Sequence, residues 1–324
     1  MSRPNYRIGL LGASRIAPFA VIQPALRRGD CTLVAIACRD VDRGQAYAAE
    51  HGVPDVEIVD SYEALCARGD IDIVYNALPP SRHLDLARAA AGKVQLIEKP
   101  FAMNAREAAE IAALPGTIME AFHHRYHPAF ARFLTEVDKV RPLSRMEGRF
   151  HVPIPDREGE LRHDVSLGGG SLMDLGTYPL QIARTLAGCE PTVTRAEAVE
   201  GRPRVDLRME AELDFGGGLT ALISSDMSDG VQPSILFEAT GAGGTVSMDN
   251  PVHPYMGCRI VTPDGAITNE DHPRWSEVTT YDAQLAHLIL CLSMGTPPLT
   301  DAGSAVKQME AIDAIYDRSG LGAR

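Results

Sequence analysis

The chain has 324 residues, which is more than one hydrophobic core usually serves, so two domains are expected. Apolar residues make up 45% and charged residues 23%, as in an ordinary globular protein. The formal net charge of −12 argues against a nucleic-acid-binding protein and favours one that handles small molecules.

The cysteines and the apolar runs indicate the compartment. The six cysteines are scattered without a C-x-x-C pair, which predicts reduced thiols and neither a zinc site nor a disulfide framework. No apolar run approaches the ~18 residues of a membrane span, and the first residues form no apolar signal region. We therefore expect a cytoplasmic protein that does not associate with membranes.

The first third of the chain alternates apolar runs with helical patterns. The predicted strands are Tyr6–Leu11, Thr32–Cys38, Ile71–Leu78, Val94–Ile97 and Thr117–Ala121, and the predicted helices are Ile16–Arg28, Arg43–His51, Ser61–Ala67, His83–Ala91 and Ala105–Leu114. This alternation requires right-handed crossovers and predicts a doubly wound parallel sheet, a Rossmann domain over residues 1–122. Ligands of such sheets bind at the carboxyl ends of the strands.

The turn after the first strand is where a dinucleotide pyrophosphate would bind. Gly12-Ala13-Ser14-Arg15-Ile16-Ala17 aligns with G-x-G-x-x-G, and one glycine of the three is retained. Alone this is a weak signal, because Gly12 would also suit a simple tight turn. Its place between a strand and a helix predicts a phosphate site formed by Gly12, Ser14, Arg15 and Ile16.

The end of the second strand bears on the choice of cofactor. An NAD enzyme normally places a carboxylate there for the ribose 2′-hydroxyl, whereas this chain has Arg39, with Arg43 one helical turn later. Arginines at this point suggest a 2′-phosphate. Two points oppose this interpretation: Asp40 is a carboxylate at the same place, and Arg39 would also suit a surface position in contact with solvent alone. NADP is therefore favoured over NAD, and NAD is not excluded.

Two further loops follow strands at the same edge. Leu78 and Pro79 lie in a rigid loop where the nicotinamide half would rest, and His83 is either a cofactor contact or a helix-start residue. Glu98-Lys99-Pro100 directly follows the predicted strand Val94–Ile97. A lysine at the carboxyl end of a strand lies at the edge where such sheets bind ligands, and it contributes little to the solubility of the surface. Lys99 is therefore predicted to lie beside the nicotinamide.

Three histidines follow the predicted strand Thr117–Ala121, at His123, His124 and His127. A metal site is disfavoured, because neighbouring extended residues point oppositely and no carboxylate or cysteine joins them at ligand spacing. One or two of Arg125, His124 and His127 are predicted to line a polar substrate pocket, with Arg125 and His127 preferred. The alternative is ordinary hydrogen bonding within a loop.

The sequence pattern of the remaining residues, 123–324, predicts a second α+β domain with a mainly antiparallel open sheet. Asp206–Phe215 alternates charged and apolar residues with a period of two, as in a strand with one solvated face. The other predicted elements are strands Leu219–Ser225, Ile235–Thr240, Thr245–Met248 and Arg259–Thr262, and helices Ala283–Met294 and Ala302–Arg318.

A glycine loop, Gly168–Gly170, opens a helical pattern in this domain. Ser171 is predicted to be the helix N-cap, with Asp174 three residues later in a capping-box arrangement. Tyr178 follows one turn further, and Pro179 is expected to kink or restart the helix there. A phenol at a helix break beside a carboxylate is a candidate for chemistry.

Four motifs in this order resemble the glucose–fructose oxidoreductase, inositol dehydrogenase and rhizopine-catabolism (GFO/IDH/MocA) family of oxidoreductases. They are Gly12–Ala17, Glu98–Pro100, Met119–Pro128 and Gly168–Tyr178. The resemblance covers most of the chain, and Glu-Lys-Pro followed by Asp-x-Gly-x-Tyr is its most specific part. It implies a Rossmann domain joined to an α/β domain whose open sheet builds dimers or tetramers.

The resemblance also implies roles for particular residues. The family's lysine corresponds to Lys99, often followed by a cis proline, and its acidic residue corresponds to Asp174. Many members have histidine where this chain has Tyr178, which points to the branch of dihydrodiol and pyranose dehydrogenases such as those for xylose. That branch is typically NADP-linked, in agreement with Arg39.

Oxidation of a carbinol needs a proton acceptor that faces the nicotinamide. Tyr178 is the candidate, with Lys99 as the cation that would make a phenol of ordinary pKa about 10 a usable base. Asp174 would hydrogen-bond a substrate hydroxyl. The expected activity is NADP-dependent oxidation or reduction of a secondary alcohol in a pyranose sugar or vicinal diol. The alternatives are a glycoside hydrolase or lyase that uses the cofactor transiently, and a non-catalytic sugar or dinucleotide sensor.

Overall fold

The structure, a computed structural model, describes residues 5–324 and divides into two compact units. The first unit comprises the chain up to Ala102, Arg106–Phe122 and Tyr281–Val306, and the second comprises Met103–Ala105, His123–Thr280 and Lys307–Arg324. One division falls between Phe122 and His123, where the sequence places the domain boundary. Residues 281–306 group with the first unit, which a single boundary along the sequence does not capture.

A six-stranded parallel sheet forms the first unit. Its strands are β1 (Tyr6–Leu11), β2 (Cys31–Ala37), β3 (Glu57–Val59), β4 (Ile73–Asn76), β5 (Val94–Ile97) and β6 (Ile118–Glu120). They pair in the order β3-β2-β1-β4-β5-β6, which confirms the predicted Rossmann fold. The order reverses between β1 and β4, so the ligand crevice is expected at the carboxyl ends of these two strands.

An eight-stranded sheet forms the second unit and confirms the predicted mainly antiparallel domain. Its strands are β7 (Leu143–His151), β8 (Thr192–Glu200), β9 (Asp206–Asp214), β10 (Thr220–Asp226), β11 (Ser234–Gly241), β12 (Gly244–Asp249), β13 (Arg259–Thr262) and β14 (Gly265–Thr268). The order is β14-β13-β12-β11-β7-β10-β9-β8, and β7 and β10 are the parallel pair. The sequence prediction omits β7, β8 and β14.

The helices lie between and after these strands. In chain order they are α1 (Gln23–Leu26), α2 (Val41–Glu50), α3 (Tyr62–Ala67), α4 (His83–Ala89), α5 (Ala105–Ala112), α6 (Pro128–Asp138), α7 (Thr177–Ala187), α8 (Arg274–Glu277), α9 (Thr280–Met294) and α10 (Ala302–Ser319). Within residues 5–324, none of them combines the length and apolarity needed to cross a bilayer.

The predicted helix Ile16–Arg28 is wrong in detail. Pro18–Ile22 form a π-helical turn, and α1 covers just the next four residues. Pro18 and Pro24 both lack an N–H, so regular α-helical hydrogen bonding is interrupted at two places.

The core of the second unit lies on one face of its sheet. In β9, Met209, Ala211 and Leu213 are buried while Arg208 and Glu212 are exposed, which confirms the predicted alternation for this part of the strand. Asp206 departs from it, because its side chain is fully buried. Gly148 of β7 explains how α7 reaches this face. A Cβ at Gly148 would lie 2.7 Å from both the Phe237 ring and Pro179, so α7 packs directly on the sheet there.

A carboxyl group caps α5 from a distant part of the chain. Asp313 Oδ2 accepts the Ala105 N–H at 2.8 Å, and burial raises the pKa of this carboxyl to about 6. A raised folded-state pKa means that ionisation of Asp313 costs stability as pH rises from about 4 to about 6.

We therefore expect Asp313→Asn to preserve the acceptor and to gain stability relative to the natural chain over this pH range, by on the order of 1–3 kcal/mol. Denaturant unfolding from pH 4 to 8 measures the difference, with exposed Asp264→Asn as the control. A difference that does not change with pH would show that Asp313 does not titrate in this window.

Candidate active site

Gly12 begins the turn that follows β1. Its backbone has φ +91°, and a Cβ would lie 2.7 Å from the Leu78 side chain, so both conformation and space favour glycine. The Ser14 hydroxyl accepts the Ala17 N–H at 3.3 Å, and the Ser14 carbonyl accepts the Tyr47 hydroxyl at 2.7 Å. The turn is thus held in a form that lets a phosphate approach its backbone.

Arg15 and Ile16 complete this turn. Arg15 is exposed, and the Ile16 carbonyl accepts the Ala20 N–H at 2.9 Å. Ile16 therefore stands at the N-terminus of the helical turn, where backbone N–H groups favour an anion.

The residues after β2 favour a 2′-phosphate. Asp40 is the N-cap of α2, and its carboxylate accepts the Arg43 N–H at 3.0 Å. Arg39 is exposed and lies 6.0 Å from the centre of the Tyr62 ring, while the Arg43 guanidinium donates to the Ala13 carbonyl at 3.1 Å. The Asp40 carboxylate is thus occupied in capping, and the Arg43 guanidinium lies beside the glycine turn.

Asn76, at the end of β4, is a site residue that the sequence prediction missed. Its Oδ1 accepts the Leu78 N–H at 3.2 Å, and its side chain is 3% exposed. Its Nδ2 has no hydrogen-bond partner within residues 5–324. A buried amide donor without a partner is costly, so this donor fits a polar group of a cofactor held at the edge of the sheet.

His83 braces the neighbouring loop. It is fully buried, with Nε2 2.8 Å from the Leu78 carbonyl and Nδ1 3.0 Å from the Phe101 carbonyl. Burial lowers its pKa. Both ring nitrogens are thus engaged with backbone, and the histidine fixes the loop that contains Pro79.

Lys99 follows β5 at the same carboxyl edge and is partly buried. The preceding Glu98 is buried and accepts the Tyr75 hydroxyl at 2.6 Å. The Lys99–Pro100 peptide bond is cis, as the family resemblance implied. The structure therefore brings Gly12, Leu78 and Lys99 to one edge of the first unit's sheet.

In the second unit, the prediction that Ser171 is an N-cap is wrong. Ser171 is helical (φ −64°, ψ −37°), and its hydroxyl donates to Asp206 Oδ2 at 2.8 Å. The buried Asp206 also accepts the Leu172 N–H at 2.7 Å and the Tyr316 hydroxyl at 2.8 Å. A Cβ at Gly170 would lie 2.3 Å from Asp206 Oδ1, so the glycine loop closes over this carboxylate.

The helix that contains Tyr178 begins with a π-helical turn. Leu172–Gly176 form this turn, and α7 then continues through Pro179. The Thr177 N–H bonds to the Leu172 carbonyl in the wider π pattern. Pro179 is the third residue of α7, so the predicted kink or restart at Pro179 is not observed. The helix changes type two residues earlier, at Thr177, and such π-helical turns are frequent at functional sites.

Asp174 is held by an arginine that the sequence prediction missed. Arg162 Nε donates to Asp174 Oδ2 at 2.6 Å, and Arg162 also pairs with Glu160 at 2.9 Å. The neighbouring carboxylates raise the pKa of the Arg162 guanidinium. Asp174 therefore presents a carboxylate of fixed orientation.

Tyr178 lies in a buried aromatic cluster and is 5% exposed. Its hydroxyl is 3.2 Å from His123 Nε2, and the opposite nitrogen, His123 Nδ1, is 2.8 Å from Thr280 Oγ1. The His124 and Phe150 rings lie 5.5 and 5.6 Å from the Tyr178 ring, centre to centre. The phenol is therefore held at both its ring and its hydroxyl.

The other predicted substrate contacts have different surroundings. Arg125 is partly buried, with its guanidinium 5.4 Å from the Phe130 ring centre. His127 is fully buried and caps α6, since its Nδ1 accepts the Ala129 N–H at 3.2 Å and its Nε2 lies 2.8 Å from the Val278 carbonyl. Both ring nitrogens of His127 thus bond to backbone.

Two family models match the chain. Residues 6–116 match an oxidoreductase family with an NAD-binding Rossmann fold, and residues 142–247 match the GFO/IDH/MocA C-terminal domain. D-xylose 1-dehydrogenase (NADP(+)) 2 of Haloferax volcanii is 31% identical over 97% of this chain and 98% of its own. The dTDP-3,4-didehydro-2,6-dideoxy-alpha-D-glucose 3-reductase of Streptomyces antibioticus is 34% identical over 97% of each chain.

The fold is also shared with a solved structure. The aldose-aldose oxidoreductase from Caulobacter crescentus, in complex with glycerol, superposes with a TM-score of 0.86 over 98% of each chain at 24% identity.

Proposed function

Because this chain belongs to the GFO/IDH/MocA family of oxidoreductases, we propose that it is an NADP-dependent dehydrogenase acting on a secondary or anomeric hydroxyl of a pyranose sugar, or on a vicinal diol. The observation that carries the proposal is the position of Lys99, a partly buried cation at the sheet edge that also holds Gly12 and Asn76, whose Nδ2 has no hydrogen-bond partner among residues 5–324. When bound there, the nicotinamide cofactor supplies the hydride acceptor or donor.

The cofactor would be held by residues at the carboxyl ends of the first unit's strands. We assign this role to Gly12, Ser14, Arg15, Ile16, Arg39, Arg43, Asn76, Leu78, Pro79, Glu98 and Lys99. His83 shapes the loop and is not itself given a cofactor contact, because its ring nitrogens are already engaged.

In the second unit, Tyr178 would move the proton and Asp174 would orient a substrate hydroxyl. A phenol held by a hydrogen bond at its oxygen can exchange a proton without reorienting, and Lys99 would provide the positive charge that favours the phenolate. Arg125 is a further candidate for substrate binding. His127 is not retained in this set, since α6 uses it as a cap.

Cofactor preference gives one test. We expect Arg39→Ala to weaken NADP binding about 10- to 100-fold, the loss of a charge-assisted contact, and to leave NAD binding nearly unchanged. Equilibrium titration of both dinucleotides measures this. Arg7→Ala is the matched control, because Arg7 is exposed at the amino-terminal part of β1 and pairs with Asp70. An equal loss for NAD and NADP would contradict a 2′-phosphate contact.

A screen of aldoses, inositols and dihydrodiols with both NAD and NADP tests the substrate class. We expect reduced NADP to accumulate with a pyranose or a vicinal diol. Turnover confined to acyclic or monohydric alcohols would contradict the proposed class.

We also propose a cytoplasmic homo-oligomer assembled through the eight-stranded sheet. All six cysteines are free thiols, which suits a reducing compartment. The solvent face of β8 presents Arg195, Glu197 and Val199, a mixed surface able to meet a second copy of itself. Light scattering on the purified chain distinguishes a monomer from a dimer or tetramer.

A further inference from the structure

We propose that His123 is a positioning residue that relays the Tyr178 proton, and that the Thr280 hydroxyl allows it to do so. The inference rests on the proposed function, because it needs Tyr178 to exchange a proton with a substrate hydroxyl. It concerns a residue to which neither the sequence analysis nor the proposed function gives a role.

The three side chains form a continuous hydrogen-bonded row within the second unit. The Tyr178 hydroxyl is 3.2 Å from His123 Nε2, and His123 Nδ1 is 2.8 Å from Thr280 Oγ1. His123 is 2% exposed and Thr280 is fully buried. The imidazole therefore has a defined partner on each nitrogen, in an interior where such bonds are strengthened.

The Thr280 hydroxyl suits both tautomers of the imidazole. When His123 Nδ1 carries the proton, it donates to Thr280 Oγ1, and Nε2 accepts the Tyr178 hydroxyl. When Nε2 carries the proton, it donates to the Tyr178 oxygen, and Nδ1 accepts the Thr280 hydroxyl. A hydroxyl can donate or accept by rotation, so His123 keeps both bonds as the proton moves.

The two histidine rings next to His123, those of His253 and His124, do not oppose this proton exchange. The His253 ring lies 5.2 Å away at 37° and is partly exposed, and the His124 ring lies 6.3 Å away and edge-on. His124 Nε2 is 3.1 Å from Gln181 Oε1, and burial, aided by the Arg125 charge, holds the pKa of His124 well below its usual value. His124 thus stays neutral and does not oppose a proton on His123.

The proton balance in the oxidative direction is complete. The substrate O–H gives its proton to the Tyr178 oxygen as the phenol O–H proton passes to His123 Nε2. The carbinol C–H bond breaks with its electron pair leaving as hydride to the bound cofactor, and the C–O bond becomes a carbonyl. After the carbonyl product leaves, His123 Nε2 returns its proton to the Tyr178 oxygen as the phenol O–H proton passes to water in the vacated substrate site.

Two variants test the relay. We expect His123→Phe to lower kcat for oxidation about 100-fold near neutral pH, and Thr280→Val to lower it about tenfold. Raising the pH should restore much of the His123→Phe loss, because the phenolate then forms without a relay. Thr135→Val is the control, since its exposed hydroxyl bonds to its own helix at Ala131.

A titration of the cofactor-free protein gives an independent readout. The ultraviolet signal of phenolate, with Tyr178→Phe subtracted, reports ionisation of Tyr178 alone. A hydrogen bond donated to an ionised oxygen is roughly twice as strong as a neutral one, so loss of His123 should lower the phenolate fraction at a given pH about tenfold.

The outcomes separate the two proposals. An unchanged kcat–pH profile and unchanged phenolate titration in both variants would overturn the relay while the natural chain still reduces NADP. Absence of NADP reduction by the natural chain would overturn the proposed function instead. If His123→Phe does not fold, Thr280→Val decides: its lower kcat and lower phenolate fraction support the relay, and unchanged values overturn it.

Discussion

Lys99→Met is expected to lower kcat about 10²- to 10³-fold while the Kd for NADP changes little. The side chain keeps nearly the same length and loses its charge, so contacts made by its stem remain. A charge that acts on the reacting oxygen stabilises the transition state more than the bound cofactor. Steady-state kinetics and dinucleotide titration measure the two quantities on the same preparation.

Lys307→Met is the matched control for this change. Lys307 is exposed and pairs with Glu310 on α10, so its loss should leave kcat unaffected. A Lys99→Met enzyme that keeps its kcat would remove Lys99 from the chemistry. A loss confined to NADP affinity would reassign it to cofactor binding.

Tyr178→Phe is expected to lower kcat about 10²- to 10⁴-fold with a much smaller change in KM. The ring and its packing against Phe150 are kept, and the hydroxyl that contacts His123 is removed. Tyr6→Phe makes the same chemical change on β1 and serves as the control. Retained kcat would show that another group carries the proton.

The double variant that combines Lys99→Met with Tyr178→Phe tests whether these two residues act as one unit. If Lys99 and Tyr178 serve the same proton transfer, the double variant should lose little more than the worse single variant. Losses that multiply would instead indicate two independent contributions.

The parts of the fold that depend on local pattern could be predicted from sequence. The buried runs of β1 and β5 predicted the parallel sheet, and the period of two in β9 predicted the second sheet. Residues at the ends of strands, such as Gly12 and Lys99, were placed correctly at one edge because parallel strands bring their carboxyl ends together.

The parts that depend on distant partners could not be predicted. Ser171 has the local signature of an N-cap, but Asp206 binds its hydroxyl from 35 positions away. Arg162 donates a hydrogen bond to Asp174 from a part of the chain in which the sequence predicts no helix or strand. His123 and His127 share one motif, yet one contacts Tyr178 and the other caps a helix, and sequence spacing does not distinguish them.

The most direct test of the central claim is the stoichiometry of reduced NADP to product during turnover of a pyranose or diol substrate. A hydride-transfer enzyme should yield one reduced NADP for each carbonyl formed. Product released without net cofactor reduction would indicate a hydrolase or lyase that uses the cofactor transiently, and bound NADP with no turnover across the panel would indicate a sensor. Either result would contradict assignment as a dehydrogenase.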